Sequence, residues 1–309
     1  MILVTSAYLF VYSAEAGILA TLGQQNAMTG TIASVWLFVA AIPTVLAFFI
    51  GGELSQWLEG DTAGGAARAL FLISAGLMVA IAAFGLWRPG AVFDHLRDER
   101  MTSATPLDDL KRLARHWPIY PALLAWFLWE FAPGTDTVMQ FYISDVLHAS
   151  DAVFGNFRAL YSAGFMPLFL AYGWLCRRFR LRDLLIWGTV VGSVQMIPLL
   201  FVRSPLSVEL AGLGLGVLGG VCSAAYRDLI IRSCPEGLQA TMFGLMVALS
   251  YISIRFGDLW GTDLYEHHGG FVTCVWVTTA VYLAILPVVA WMAPRALTLP
   301  REGEAMATT

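Results

Sequence analysis

The chain predicts an all-α integral membrane protein, on three observations: its composition, the length of its apolar runs and the placement of its Lys and Arg residues. Hydrophobic residues make up 58% of the 309 positions and charged residues only 13%, whereas a soluble domain carries about a quarter charged residues. So much apolar side chain needs lipid as its solvent. The apolar residues come in blocks of about twenty, the length that crosses a hydrocarbon core as a helix. Helices, not soluble domains, therefore set the organisation.

Nine spans are predicted, at residues 2-21, 31-52, 69-87, 119-140, 153-175, 184-202, 207-229, 238-260 and 271-293. Pro133-Gly134 interrupts the fourth, so a broken or kinked helix is expected there, with its freed backbone groups satisfied by neighbours. Orientation follows from the excess of Lys and Arg that cytoplasmic loops carry. Segment 88-118 holds Arg88, Arg97, Arg100, Lys111, Arg112 and Arg115, and the turn after the fifth span reads Arg177-Arg178-Phe179-Arg180-Leu181-Arg182. The stretch around Asp145 and Asp151 has no Lys or Arg, and the 261-270 turn has Asp263 and Glu266 but no Lys or Arg. The chain is thus expected in a cell membrane, plasma or inner, with its N-terminus outside and its C-terminus in the cytoplasm. Only Arg68 and Arg203 then fall on the outer side. Met1-Ile2-Leu3-Val4 lacks the basic stretch of a cleaved signal peptide, so the first helix is expected to stay.

Several functions are set aside by the same residues. A net charge of -4 and a pI near 5.7 argue against nucleic acid as a partner, which asks for a basic stripe. Cys176, Cys222, Cys234 and Cys274 stand too far apart for a zinc site or a disulfide framework and read as small packing residues. No cofactor and no metal is expected. The row Gly212, Gly214, Gly216, Gly219, Gly220 lies inside an apolar helix without a preceding strand, so it reads as close helix packing and not as a nucleotide loop. His267-His268 would point to different helix faces in a predicted outer turn.

The polar segment 88-118 divides three spans from six. Two six-helix halves joined by a central loop, each nesting three-helix repeats, is the plan of major facilitator transporters. The chain resembles that plan with the first three of twelve helices missing. Expected units are an incomplete N-terminal bundle, 1-87, a cytoplasmic central loop, 88-118, a six-helix bundle, 119-293, and a cytoplasmic tail, 294-309. Within the central loop, Pro106 to Arg115 has helical apolar spacing with charges opposite, which suits an interfacial helix or a solvated linker helix.

A narrower likeness runs from Trp126 to Phe271. Phe131-Ala-Pro-Gly-Thr-Asp136, Phe141-Tyr142 and Val146-Leu147, then Phe154-Gly155 with Arg158, then Cys234-Pro-Glu-Gly-Leu-Gln-Ala-Thr-Met-Phe-Gly-Leu-Met246 with Ser250 are similar to stretches of the folate-biopterin transporter family, a branch of the major facilitators. Gln239 stands where that family has Glu, and Tyr251 to Ser253 carry no matching amide. The resemblance would make residues 1-87 the fourth to sixth helices of the set.

Intramembrane charge is expensive, so each ionisable residue inside a span is a functional candidate. Glu15 lies mid-span with no basic residue on its own helix, and the resemblance would turn it to the cavity as a carrier of a coupling proton. Glu130 and Asp136 fall in the interrupted span, and Arg158 and Arg255 in the fifth and eighth. A guanidinium fork suits an anionic substrate, or an ion pair with Glu130, Asp136 or Asp258 that fixes two helices. Arg227-Asp228 and Arg232 read as a cytoplasmic gate or, more simply, a positive-inside anchor. Trp126, Trp129, Phe141 and Tyr142 suit stacking on a flat substrate or packing in the core.

The expected function is secondary active transport of a small anionic organic solute, folate- or pterin-like by resemblance alone, by alternating access, with membrane lipid around it. Two alternatives stay open on the residues: a non-transporting or mis-started fragment of such a transporter, and an integral membrane enzyme. An enzyme would need a convergent nucleophile, base or metal cluster, and none is visible.

Overall fold

The computed structural model describes residues 2–58, 65–86 and 106–304, and all regular structure within them is helical. Helices α1 (Ile2–Gln25), α2 (Thr29–Leu58) and α3 (Gly65–Leu86) come first. The short α4 (Pro106–Arg115) follows, then α5 (Ile119–Glu130) and α6 (Thr137–Phe141, running on into a π turn, Tyr142–Val146). After them come α7 (Asp151–Arg178), α8 (Leu181–Ser193, extended by a 3-10 turn, Ile197–Phe201) and α9 (Pro205–Ser233). The last long helices are α10 (Gln239–His267) and α11 (Gly270–Leu283, prolonged to Met292), followed by the one-turn α12 (Arg295–Thr298).

Six of these stretches are long and apolar enough to cross a membrane: Thr29–Ser55, Asp151–Arg178, Leu181–Phe201, Pro205–Ser233, Gln239–His267 and Gly270–Met292. The other three predicted spans fall on α1, on α3 with its apolar stretch Phe71–Ala83, and on the α5–α6 pair. That pair is broken where Pro133-Gly134 predicts it, and hydroxyls add bonds to carbonyls beside the break, which also accept backbone N–H groups. Thr135 donates to Ala132 O at 3.0 Å, and Ser253 of α10 donates to Phe127 O at 2.6 Å. Most of the polar segment 88-118 lies outside the described residues, apart from α4 and the turn into α5.

Helices α7 and α9 outrun their predicted spans, 153-175 and 207-229, to Arg178 and Ser233, because helices continue past the hydrocarbon as polar, basic turns. Small residues decide how the long helices pack. The most extensive contacts run between α2 and α7 and between α7 and α9. Gly52 and Gly155 meet face to face, and a Cβ on Gly155 would lie 2.7 Å from Gly52 Cα. A side chain on Gly164 would collide with Leu213 O, and one on Gly216 with Tyr161 O. The glycine row is thus a packing stripe of the kind membrane helices use, with Gly214 the member that meets nothing within 4 Å. Helix α1 lies along α10, where a Cβ on Gly17 would be 3.0 Å from Ala240.

The two glycine environments separate in a stability measurement. Gly216→Val overpacks the α7–α9 seam and is expected to cost about 1–3 kcal/mol or more, seen as a lower unfolding temperature of the purified chain in detergent. Gly214→Ala removes a flexible mid-helix glycine, worth about 1 kcal/mol in helix propensity, and is expected to leave that temperature unchanged or raised.

Candidate functional site

At one end of the bundle α1 turns into α2, α7 ends in Arg177 and Arg178, and α9 ends beside the start of α10; we term this the basic end. Helix α9 carries Asp228 and Arg232 there, one turn apart and therefore on one face. They pair at 3.0 Å with side chains 0% and 2% exposed. Tyr172 of α7 donates to the same carboxylate at 3.0 Å, and Arg232 donates to Thr29 Oγ1 at 3.1 Å and to Pro300 O at 2.8 Å. Asp228 and Arg232 thus lie at the meeting of α2, α7, α9 and the chain after α12. Glu302 of that last segment caps the start of α2, accepting from Thr31 N at 3.1 Å, and also accepts from the Cys176 thiol.

A second set of bonds closes the same end between α1 and α10. Gln24 donates to Ile231 O and Cys234 O, both at 2.7 Å, and accepts from Gln239 at 2.8 Å. Gln239 is the position that departs from the folate-biopterin pattern, and here it makes an uncharged amide pair. Burial pushes the Cys234 thiol up to about 12, so it stays protonated at neutral pH.

Arg227 sits one residue before Asp228 and is therefore turned about 100° from it around α9. It is 8% exposed. Its guanidinium carbon lies 4.5 Å from the Trp36 ring centroid and 5.0 Å from that of Trp126, one ring from α2 and one from α5. Nη1 donates to Tyr12 Oη of α1 at 2.6 Å, and Trp126 is steadied by donating to Ser250 Oγ at 2.6 Å. Nε is buried with no hydrogen-bond partner, and among the described residues no carboxylate lies within ion-pair distance of the group. The other buried side-chain atoms in that condition, Asn156 Oδ1 and the two amide atoms of Gln195, belong to neutral groups. Among the described residues, Arg227 is the buried group that combines a full charge with an open donor. Cation–π contacts are worth about 2 kcal/mol or more when desolvated, against several kcal/mol for burying an ion, so an anion arriving at Nε would relieve a real deficit.

The sequence-predicted residues do not converge on one point. Glu15 is exposed; Ser13 and Gly17, two positions to either side, face Gly244 and Ala240 of α10, which turns Glu15 to the opposite side of α1. Arg158 pairs with Asp136 and lies 5.0 Å from the Phe48 centroid on α2. Arg255 is 76% exposed and pairs with Asp258 at 3.5 Å, and Asp258 also accepts from Thr137 at 3.1 Å. Glu130 is half-buried at the end of α5, within the electrostatic reach of Arg227, Asp136 and Arg158. Of the four aromatic candidates, Trp126 reaches Arg227, Trp129 stacks on Tyr282 at 4.8 Å and Tyr142 on Phe271 at 4.2 Å, while Phe141 is tilted against Tyr265 at 6.4 Å.

Two readings are corrected. Arg227, Asp228 and Arg232 are not a surface anchor, since all three are buried; α9 continues beyond residue 229 and its neighbours enclose it. His267 and His268 do not diverge: both reach Asp263, at 3.3 and 3.6 Å, because α10 ends at His267 and the chain turns back. No group of three metal-ligating residues occurs among the described residues. The pattern that hid Arg227 is its place near a basic turn, where the positive-inside rule already accounts for an arginine.

The two guanidiniums are expected to respond oppositely in thermal unfolding of the purified chain. Asp228→Asn strips Arg232 of its counter-charge and should cost about 3–5 kcal/mol, enough to lower the yield of folded protein. Arg227→Gln removes a charge without a carboxylate partner and should hold or raise the unfolding temperature.

Residues 10–257 match the family model of the Major Facilitator Superfamily. Among solved structures, the chain is similar to a bacterial homologue of the iron transporter ferroportin in an outward-facing state, at 17% identity over 92% of this chain and 87% of that one, with a TM-score of 0.42. It is also similar to the same homologue with soaked iron, at 16% identity over 93% and 87%, with a TM-score of 0.45. No curated protein matches. The family match is to the superfamily as a whole and does not single out the folate-biopterin branch. Running from α1 into α10, it takes in the helices that carry Tyr12, Trp36, Trp126 and Arg227, and by it the chain belongs to the Major Facilitator Superfamily of membrane transporters.

Proposed function

We propose that this protein is a secondary active transporter of a small anionic organic solute, working by alternating access, with Arg227 as the group that holds the anion. The observation that carries this reading is the buried guanidinium itself, clasped by Trp36 and Trp126 with Nε unpartnered. A carboxylate or phosphate oxygen is the complement of that donor. Helices α1, α2, α5 and α9 all contribute to the surroundings of this guanidinium, so relative motion of the two groups of helices, 1-87 and 119-293, would expose it to one side and then the other.

Coupling to a proton suits Glu130 better than Glu15. Glu15 faces away from α10, whereas Glu130 is half-buried in the field of Arg227, where binding of an anion would change the charge it feels. Arg158–Asp136 and Arg255–Asp258 are then pairs that hold helices. The likeness of Cys234 to Met246 makes folates and pterins the first solutes to try.

Transport into proteoliposomes under an imposed proton gradient tests the reading, with labelled folate, a panel of small carboxylates, and neutral and cationic controls. The wild type should accumulate an anion. Arg227→Gln should reduce uptake by tenfold or more, because a hydrogen bond to a charged group is worth about 1.5–3 kcal/mol. Glu130→Gln should retain exchange but lose the response to the gradient. Wild-type uptake by Arg227→Gln, or uptake of cations or neutral solutes only, would overturn it.

In this reading the basic end lies in the cytoplasm, with the N-terminus outside and the C-terminus inside, as the excess of Lys and Arg there suggests. All four native cysteines are buried, so the background for labelling is quiet. An impermeant maleimide applied to intact cells should modify Glu266→Cys and leave Arg178→Cys untouched; the reverse pattern would invert the topology.

A further inference from the structure

Beside the closed basic end, and without Arg227 in its lining, a cavity of about 340 Å³ opens between the last turn of α4 and the α9–α10 turn. Arg112, Arg115, His116, Pro235 and Leu238 line it. Its positive charge is poorly neutralised. Arg112 reaches Asp109 only at 3.9 Å, with the Arg112 side chain exposed and Asp109 half-buried, and Arg115 has no ion pair among the described residues. Glu236 on the facing turn is exposed. Basic residues in the last turn of a helix also answer its dipole, and that alone would explain Arg112 and Arg115 but not the cavity or what surrounds it.

What surrounds it is apolar and exposed. Leu113 is fully buried and pins α4 to the bundle, while Leu110 is 47%, Trp117 65%, Tyr120 42% and Leu124 39% exposed. Trp117 and Tyr120 lie with ring centroids 5.6 Å apart, and Tyr120 Oη donates to Ala114 O at 2.5 Å, tying the start of α5 to α4. Exposed Trp and Tyr next to basic residues form the belt that membrane proteins place at the headgroup level, and basic pockets at that level bind anionic lipid headgroups.

We propose that this cavity takes the phosphate of an anionic phospholipid, held by Arg112 and Arg115, with its acyl chains against Trp117, Tyr120 and Leu124. Free phosphate presents the same oxygens but gains nothing from the exposed aromatic and aliphatic side chains, which is why the lipid is the occupant. The wall formed by Pro235 and Leu238 belongs to the turn whose Cys234 O accepts from Gln24. A bound headgroup therefore braces that turn against α4 and favours the closed basic end. The site stands independently of which solute is carried.

The test uses the full chain purified in detergent, supplemented with phosphatidylglycerol, phosphatidylcholine or millimolar inorganic phosphate. Phosphatidylglycerol should raise the unfolding temperature by several degrees, as a ligand of the folded state does, and the other two should not. The Arg112→Gln/Arg115→Gln double variant should lose the shift, while Arg178→Gln/Arg295→Gln, an equal charge change at exposed positions of the same end, should keep it. Native mass spectrometry of the wild type and of Arg112→Lys/Arg115→Lys gives a second readout that does not depend on the yield of the Gln double variant. Both should retain phosphatidylglycerol in preference to phosphatidylcholine. An intact shift in the Gln double variant, an equal shift with inorganic phosphate, or no lipid preference in the mass spectra would overturn the proposal.

Discussion

The buried Asp228–Arg232 pair ties together elements that are far apart in sequence. Tyr172 binds the carboxylate, and Thr29 and the carbonyls of Leu297 in α12 and Pro300 after it bind the guanidinium, so helices from both groups are held at one point. Such a pair contributes little net stability compared with an apolar core, because desolvation offsets much of the attraction. Its effect is on arrangement. With all three guanidinium nitrogens bonded, the charges favour the geometry in which α2, α7 and α9 meet, and the rest of the basic end is built around that meeting.

Arg227 is the counterexample on the next residue. The turn of the helix points it away from Asp228 and between two indole rings, where its charge is partly balanced by π faces and one tyrosine hydroxyl. Two arginines five residues apart on one helix thus differ in kind. One is saturated and structural, the other is short of a hydrogen-bond acceptor in a family of transporters.

Close approach of backbones sets how this arrangement is transmitted. Glycines on α7 and α9 remove the side chains that would hold those helices apart, and Gly52 against Gly155 does the same between α2 and α7. Such seams have no side chains to unlock, only surfaces that slide or part. By contrast the α1–α10 contact at the basic end rests on discrete polar bonds, Gln24 with Gln239 and with two main-chain carbonyls. Breaking these bonds would leave no buried charge unpaired, in contrast to breaking Asp228–Arg232.

The membrane class, the helices and the break at Pro133-Gly134 were legible in the chain, because they follow from local properties: apolar run length, and a proline that cannot donate a hydrogen bond. The glycine row was legible as packing for the same reason. The site was not. Glu15 reads as a coupling carboxyl because nothing basic shares its helix, and the family resemblance turns it to the cavity, yet which side of α1 it occupies depends on where α10 lies. Arg227 looked like one more arginine near a basic turn, and only the approach of Trp36 from α2, Trp126 from α5 and Tyr12 from α1 makes it a buried cation. Sequence determined what each helix is made of and that it belongs in lipid. Tertiary structure decided which charges find partners, because pairing depends on distances of a few ångströms between residues some two hundred positions apart.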